Sequence, residues 1–323
     1  MDSLPAISVI IPTVGRATLT RAAQSALSQE LASGWVEVII VNDTGCPLDS
    51  AFDDLFSDPR VTVLTTSRRR QSVARNIGAA VARGKAYLFL DDDDWLLPGG
   101  LDALAKLLDQ NDRAVAAYGS YVIAGLTQDG DEQEMGVFNL GRRGNCASHL
   151  LAGAFVPLGS SLYRAEAFWR VGGFDSALFI SEDNDLTRRI SVEGDFEQVP
   201  DPVFVLYRGM TWSTTMNYAA AVDAMRVSRE KLLDQPWGLR RLIASADSAY
   251  LRARNVKAYA ASAFWNVRHA NMLRACRRVH SCLCLVVLSV PSLFSADFWR
   301  ALRESQFQST RVATTHPDSD GER

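Results

Sequence analysis

Long apolar runs, paired cysteines and an excess of charge of either sign are all scarce in this chain of 323 residues. Cys282 to Val290 is the nearest approach to a membrane span, well short of the roughly 18–20 apolar residues a transmembrane helix needs, and Pro291 follows it. The five cysteines, Cys46, Cys146, Cys276, Cys282 and Cys284, form no Cys-x-x-Cys pair and are odd in number, so neither a zinc site nor a disulfide framework is indicated. A reducing, cytoplasmic setting fits that usage. Met1-Asp2-Ser3-Leu4-Pro5 lacks a basic n-region and a long apolar h-region, so no cleaved signal peptide is expected. With a net charge of −3, no global attraction to nucleic acid is expected. The four histidines, His149, His269, His280 and His316, share no short spacing and are assigned no ligand role.

What is present is a packed core, since 47% of the residues are hydrophobic. The length suits one large α/β domain with appendages, or two domains. Ile7 to Pro12, Val36 to Val41, Arg60 to Leu64 and Ala86 to Leu90 read as strands, each ending at polar or turn residues. Between them, Leu19, Ala22, Ala23, Ala26 and Leu27, then Val73, Ile77, Ala80 and Val81, repeat at helical spacing. Such alternation implies a doubly wound, mostly parallel sheet flanked by helices. A helix after Pro98, with Leu101, Leu104, Leu107 and Leu108 on one face, and a strand from Ala114 to Tyr118 continue it.

The fourth strand runs into Asp91-Asp92-Asp93-Asp94 and then Trp95. Open α/β sheets bind ligands beyond the carboxyl ends of their strands, so the acid lies where chemistry is expected. If the chain stays extended, Asp91 and Asp93 share one side and Asp92 and Asp94 the other. An Asp-x-Asp pair converging on one point suits Mg²⁺ or Mn²⁺ with substrate phosphates.

Past Tyr118 the regular pattern fades. Thr127 to Asn145 is polar and glycine-rich, as in hairpins or loops. Helical patterns return at Arg164 to Val171 and Glu182 to Val192, and Val203 to Tyr207 reads as a late strand. From Tyr218 nearly everything reads as helix. Gly238 to His280 carries Arg240, Arg241, Arg252, Arg254, Lys257, Arg268, Arg274, Arg277 and Arg278, with Asp247 the one acid. The expected division is a catalytic domain over 1–217, with halves 1–120 and 121–217, a helical region over 218–309, and a disordered polar tail over 310–323.

Four separated stretches together resemble the inverting family 2 glycosyltransferases of the Rossmann-like GT-A fold, over roughly Ile7 to Thr215. Ser8-Val9-Ile10-Ile11-Pro12-Thr13-Val14-Gly15-Arg16 resembles the opening strand, which implies that Pro12, Thr13 and Arg16 lie against the nucleotide. Asp43 resembles the carboxylate that accepts a hydrogen bond from the base, and Ala74-Arg75-Asn76-Ile77-Gly78 a helix start near the nucleotide. The tetrad resembles the Asp-x-Asp element: Asp91 or Asp92 toward the nucleoside, Asp93 on the metal. Gly172-Gly173-Phe174-Asp175 and Glu182-Asp183 resemble the acceptor-side elements, with Asp183 as catalytic base. One departure is Met210, which follows Tyr207-Arg208-Gly209 where many relatives carry histidine; a thioether is a poor ligand for a hard cation. Arg208 and Trp212 remain candidates for contact with phosphate or acceptor.

The implied activity is transfer of a sugar from a nucleoside diphosphate sugar to a hydroxyl of a glycan or lipid-linked glycan, with inversion. A positioned base is needed because a sugar hydroxyl is a weak nucleophile. Rival readings are a sugar-phosphate nucleotidyltransferase, against which stands the absence of a glycine-rich phosphate loop after the first strand, and a non-catalytic nucleotide- or glycan-binding protein. Singly, the tetrad could be a solvated loop, Asp43 a turn former, Glu182-Asp183 a helix cap, and Trp95 or Trp212 rim packing. An EF-hand is disfavoured because Leu96 would stand where glycine is required. The basic helices could be a solvated face packed on the domain or a peripheral contact with an anionic membrane.

Overall fold

A computed structural model describes residues 6–67, 70–126, 132–208 and 218–304. The chain begins β1 (Ile7–Thr13), α1 (Leu19–Leu27), β2 (Val36–Asn42), α2 (Asp53–Phe56), β3 (Val61–Thr65), α3 (Gln71–Val81) and β4 (Ala86–Phe89). Every residue of β1 and β2 is buried, because helices cover both faces of the sheet. Alternation assigns the faces: Val9 and Ile11 pack with Ala22 and Ala26 of α1, whereas Ile10, Ile39 and Val41 pack with Ala74 and Ala79 of α3. At Gly78 a Cβ would stand 2.5 Å from Ile10 Cγ2, so only glycine lets α3 lie this close to β1.

Next come β5 (Trp95–Leu96), α4 (Gly100–Gln110), β6 (Ala114–Leu126), β7 (Glu132–Phe138), α5 (Ala147–Leu151), β8 (Ser161–Arg164), α6 (Ala165–Arg170), α7 (Glu182–Ile190) and β9 (Asp195–Arg208). The sheet order is β3-β2-β1-β4-β8-β6-β9-β5, with β7 paired to β6. Strands β3, β2, β1 and β4 are mutually parallel, as expected of a doubly wound half. Beyond β4 the sheet is mixed: β8 is antiparallel to β4 and to β6, while β9 returns parallel to β6. Within the polar stretch that follows β6, β7 pairs antiparallel with β6.

The chain ends in α8 (Tyr218–Asp234), α9 (Gly238–Ser245), α10 (Ala249–Arg268), α11 (Met272–Leu288) and α12 (Ala296–Arg303). They share a core with the sheet-bearing part, in which Ala147 and Val192 meet Leu232, Leu242, Tyr259 and Leu285. Part of the basic set is internal: Arg241 Nη1 binds Asp195 at 2.9 Å, and Arg278 Nη1 donates to the Leu233 carbonyl at 2.7 Å. No helix among the described residues is long and apolar enough to cross a membrane.

Candidate active site

The end of β1 and the acidic turn meet because β1 and β4 are neighbours in parallel register. Thr13 Oγ1 donates to Asp92 Oδ2 at 2.6 Å, and the Arg16 guanidinium donates to Asp92 Oδ1 and stands 3.7 Å from Asp93. Asp92 is therefore buried against the first strand. Beside it opens a cleft of about 420 Å³ lined by Pro12, Thr13, Val14, Arg16, Asp43, Thr44, Arg70, Gln71 and Asp92. Asp43 Oδ2 accepts the backbone N–H of Arg70 at 2.6 Å, tying the loop after β2 to the start of α3.

After β4 the chain does not stay extended. The Asp94 N–H donates to the Asp91 carbonyl at 3.2 Å, closing a turn. Extended alternation would pair Asp92 with Asp94; the turn instead leaves Asp92 facing β1 and carries Asp94 round to Asp91 and Asp93. Carboxylate oxygens of Asp91, Asp93 and Asp94 come within 4.8 Å of one another. The Tyr207 N–H fixes Asp94 Oδ1 at 2.8 Å. Burial and the nearby Asp91 charge hold the Asp94 carboxyl well above the usual carboxylate range. Asp93 is raised by the same two causes, with Arg16 opposing. An all-oxygen set whose members suppress one another's ionisation fits a hard divalent cation.

On the other side, Arg75 of α3 is 2% exposed and does not line the cleft. Its Nη2 donates to Asp91 Oδ1 at 2.6 Å and its Nη1 to Glu182 Oε1 at 2.8 Å. Burial works against the guanidinium charge, but Asp91 and Glu182 outweigh it and raise the Arg75 pKa. The next residue, Asn76, holds the Gly-Gly-Phe turn: Nδ2 donates to the Phe174 carbonyl at 2.8 Å, and Oδ1 accepts the Phe174 N–H at 2.9 Å. Gly173, at φ +68°, would put a Cβ 2.8 Å from Asn76 Oδ1, so the turn needs glycine for both conformation and space. The Arg-Asn pair is thus a strut from α3 to the two acceptor-side elements.

Helix α7 starts at Ser181, a non-glycine residue at φ +60°. Left-handed backbone costs an L-residue about 1–2 kcal/mol, and strain of this kind collects at functional sites. Asp183, in the first turn, is enclosed by protein yet retains some solvent contact. Burial pushes its carboxyl up to about 6, the Glu182 charge adds to the rise, and the Asn184 N–H and Arg75 oppose it.

Seven of the expected residues thus fall into two sets of contacts, Thr13, Arg16, Asp92 and Asp93 on one side and Asp91, Arg75 and Glu182 on the other, which meet where Asp91 and Asp93 carboxylate oxygens come within 4.8 Å; Pro12 and Asp43 line the adjoining cleft. Arg208 is the exposed last residue of β9, while Met210 and Trp212 lie outside the described residues. Trp95 lies under the Arg21 guanidinium at 3.3 Å and beside Tyr207, so it is a packing residue in this arrangement. Two contributors were not singled out from the sequence. Strict alternation puts Asp94 on the side of Asp92, away from the residues the turn brings it to, and nothing local to Asn76 marks its partner 98 residues away.

A mixed α/β sheet with a cleft and an acidic turn beyond its central strands, backed by a second acidic helix start, defines a glycosyltransferase of the GT-A fold. The Glycosyl transferase family 2 profile matches residues 8–172, and the chain belongs to that family. An uncharacterized glycosyltransferase of Haemophilus influenzae is 26% identical over 243 residues, covering 71% of this chain and 79% of that protein. The succinoglycan biosynthesis protein ExoO of Rhizobium meliloti is 34% identical over 118 residues, 36% of this chain and 32% of ExoO. Among solved structures, S. aureus TarS 1–349 in complex with UDP-GlcNAc superposes with a TM-score of 0.57 at 16% identity, covering 83% of this chain and 89% of that one, which is a likeness of fold. Family membership sets aside the nucleotidyltransferase reading.

Proposed function

We propose that the protein transfers a sugar from a nucleoside diphosphate sugar to a hydroxyl of a glycan or lipid-linked glycan, with inversion at the anomeric carbon. The observation that carries this reading is Arg75, bonded to Asp91 on the donor side and to Glu182, beside Asp183, on the acceptor side. One buried cation thereby brings together carboxylates that lie some ninety residues apart. The UDP-GlcNAc bound to TarS supports a nucleotide-sugar donor.

In this reading the nucleoside enters the cleft bounded by Pro12, Thr13, Asp43 and Asp92, and the half-exposed Arg16 reaches the diphosphate. Asp93, with Asp91 and Asp94, would hold Mg²⁺ or Mn²⁺. Such a cation neutralises charge that grows on the departing diphosphate. Asp183 takes the proton of the acceptor hydroxyl. A carboxyl near 6 is mostly ionised at neutral pH yet more basic than an ordinary aspartate, which is what a general base requires. Attack on the face opposite the leaving group inverts the centre. Arg75 acts from beneath, positioning both sides.

A panel of nucleotide sugars, assayed with Mn²⁺ or EDTA, tests this. Asp183→Asn is expected to lower transfer by about 10²–10⁴-fold while leaving donor affinity intact. Asp93→Ala is expected to weaken metal-dependent donor binding. Undiminished transfer by Asp183→Asn overturns the assignment of the base.

A further inference from the structure

Helix α11 is amphipathic in the reverse sense. Its inward stripe, Ala275, Arg278, Cys282, Leu285 and then Ser289, recurs every three or four residues and includes a buried arginine bound to the Leu233 carbonyl and to Asp234. A second stripe is apolar and faces water: Met272, two turns before Val279, and then Val279, Leu283, Val287 and, just past the helix, Val290 at gaps of three or four are 47–69% exposed. Phe294, on the following turn, is 93% exposed, and Trp299 of α12 is 47% exposed. Scattered apolar residues on a surface need no explanation, but a continuous stripe ending in two exposed aromatics marks an interaction surface.

Charge selects the occupant. Helix α11 contains Arg274, Arg277 and Arg278 and no acidic residue. Among the described residues, exposed Arg277 makes no ion pair, and exposed Arg268, at the end of α10, has no partner but the Phe264 ring. A second copy docked helix to helix would bring no carboxylate from α11 to meet these arginines. An anionic bilayer meets both features, with acyl chains for the stripe and headgroups for the cations. We infer that the outer face of α11, with Phe294 and Trp299, seats the protein on a membrane surface rich in anionic lipid. This is independent of the donor and acceptor chemistry proposed above.

The test is sedimentation of the full chain with vesicles of phosphatidylcholine alone or with about 30% phosphatidylglycerol, a composition that gives the negative surface potential of an anionic leaflet. Wild type is expected to co-sediment with the anionic vesicles and to leave the neutral ones in the supernatant. Arg268→Glu/Arg277→Glu should reduce partitioning by at least about fivefold for each charge lost. Leu283→Asp/Val287→Asp should reduce it more than about tenfold. All four positions are exposed, so thermal midpoints are expected to stay near wild type, which separates lost binding from lost folding. Equal sedimentation of wild type and both variants, or absence of wild type from the anionic pellet, overturns the inference. So does a concentration-dependent dimer, abolished by Leu283→Asp/Val287→Asp, in a protein that ignores vesicles.

Discussion

The donor and acceptor sides of the site use the same residue type under different conditions. The tetrad crowds four carboxylates into one turn and distributes partners among them: Arg16 on Asp92, Arg75 on Asp91, the Tyr207 N–H on Asp94. Even so, Asp93 and Asp94 stay raised, because burial and mutual repulsion outweigh those partners. At the acceptor side Glu182 takes the arginine, and Asp183 Oδ1 accepts the Asn184 N–H at 2.7 Å and Asn184 Nδ2 at 3.3 Å. Asp183 is raised first by burial, then by the Glu182 charge and, less, by Asp91, with Arg75 opposing. The first arrangement is relieved by a cation and the second by a proton. Position relative to Arg75 therefore decides which aspartate suits which task.

Removing Arg75 breaks both sides at once and should have the largest effect. Arg75→Met leaves Glu182 and Asp91 without their shared cation. Breaking a buried pair costs about 3–5 kcal/mol, and the partial exposure of Asp91 lowers the expectation here to about 2–4 kcal/mol in urea unfolding. Restoring an apolar match with Arg75→Met/Glu182→Leu should recover part of that loss while transfer stays low. If Arg75→Met unfolds within about 0.5 kcal/mol of wild type, the range of an ordinary surface change, the arginine does not join the two sides.

The donor side alone is tested by metal. Mn²⁺ at about 100 times its dissociation constant should stabilise the wild type by about 2.7 kcal/mol, read as a rise in Tm. Asp94→Asn should lose most of that rise. Without metal the sign reverses: Asp93 and Asp94 have folded-state pKa values above their unfolded ones, so stability from these groups is present at low pH and lost as pH rises through the raised values. Metal-free Asp94→Asn should accordingly melt higher than wild type at neutral pH. A full Mn²⁺ shift in that variant would remove Asp94 from the ligand set.

The same contrast explains what the sequence disclosed. Strands β1, β2 and β4 were legible because each is a compact apolar run buried on both faces, and β3 because its short β-branched run stands between turn residues although Thr62 and Val63 are exposed; the donor cleft follows from where they end. Strand β9 was legible only from Val203. Its first half, Asp195 to Pro202, is polar and contains Pro200 and Pro202, which argue against a central strand; the pairing with β6 jumps from Val199 to Pro202 at an irregularity that accommodates them. Strand β8 is four residues long and merges with the helical pattern after it. At the site, composition and position were enough to find the tetrad but not the turn that brings Asp94 to Asp91. The strut through Arg75 and Asn76 was invisible because its partners are about a hundred residues away, and no local pattern encodes such a pairing.

The smallest effect isolates the acceptor side. With Asp183 as the proposed base, its carboxyl pushed up to about 6, the rate should be flat above that pH and fall tenfold per unit below it. Glu182→Gln removes the second cause of the raised value while leaving an oxygen for Arg75 Nη1. Losing a neighbouring negative charge makes ionisation easier, so the inflection should move to lower pH, by up to about one unit, or 1.36 kcal/mol between the two protonation states. Burial remains the leading cause, so it should not return to the ordinary aspartate range. With donor saturating and metal present, the plateau rate near pH 7.5 should change little, because Asp183 is ionised in both proteins there. An inflection that stays put in Glu182→Gln would mean that the titrating group sits elsewhere, on the metal side or on the acceptor.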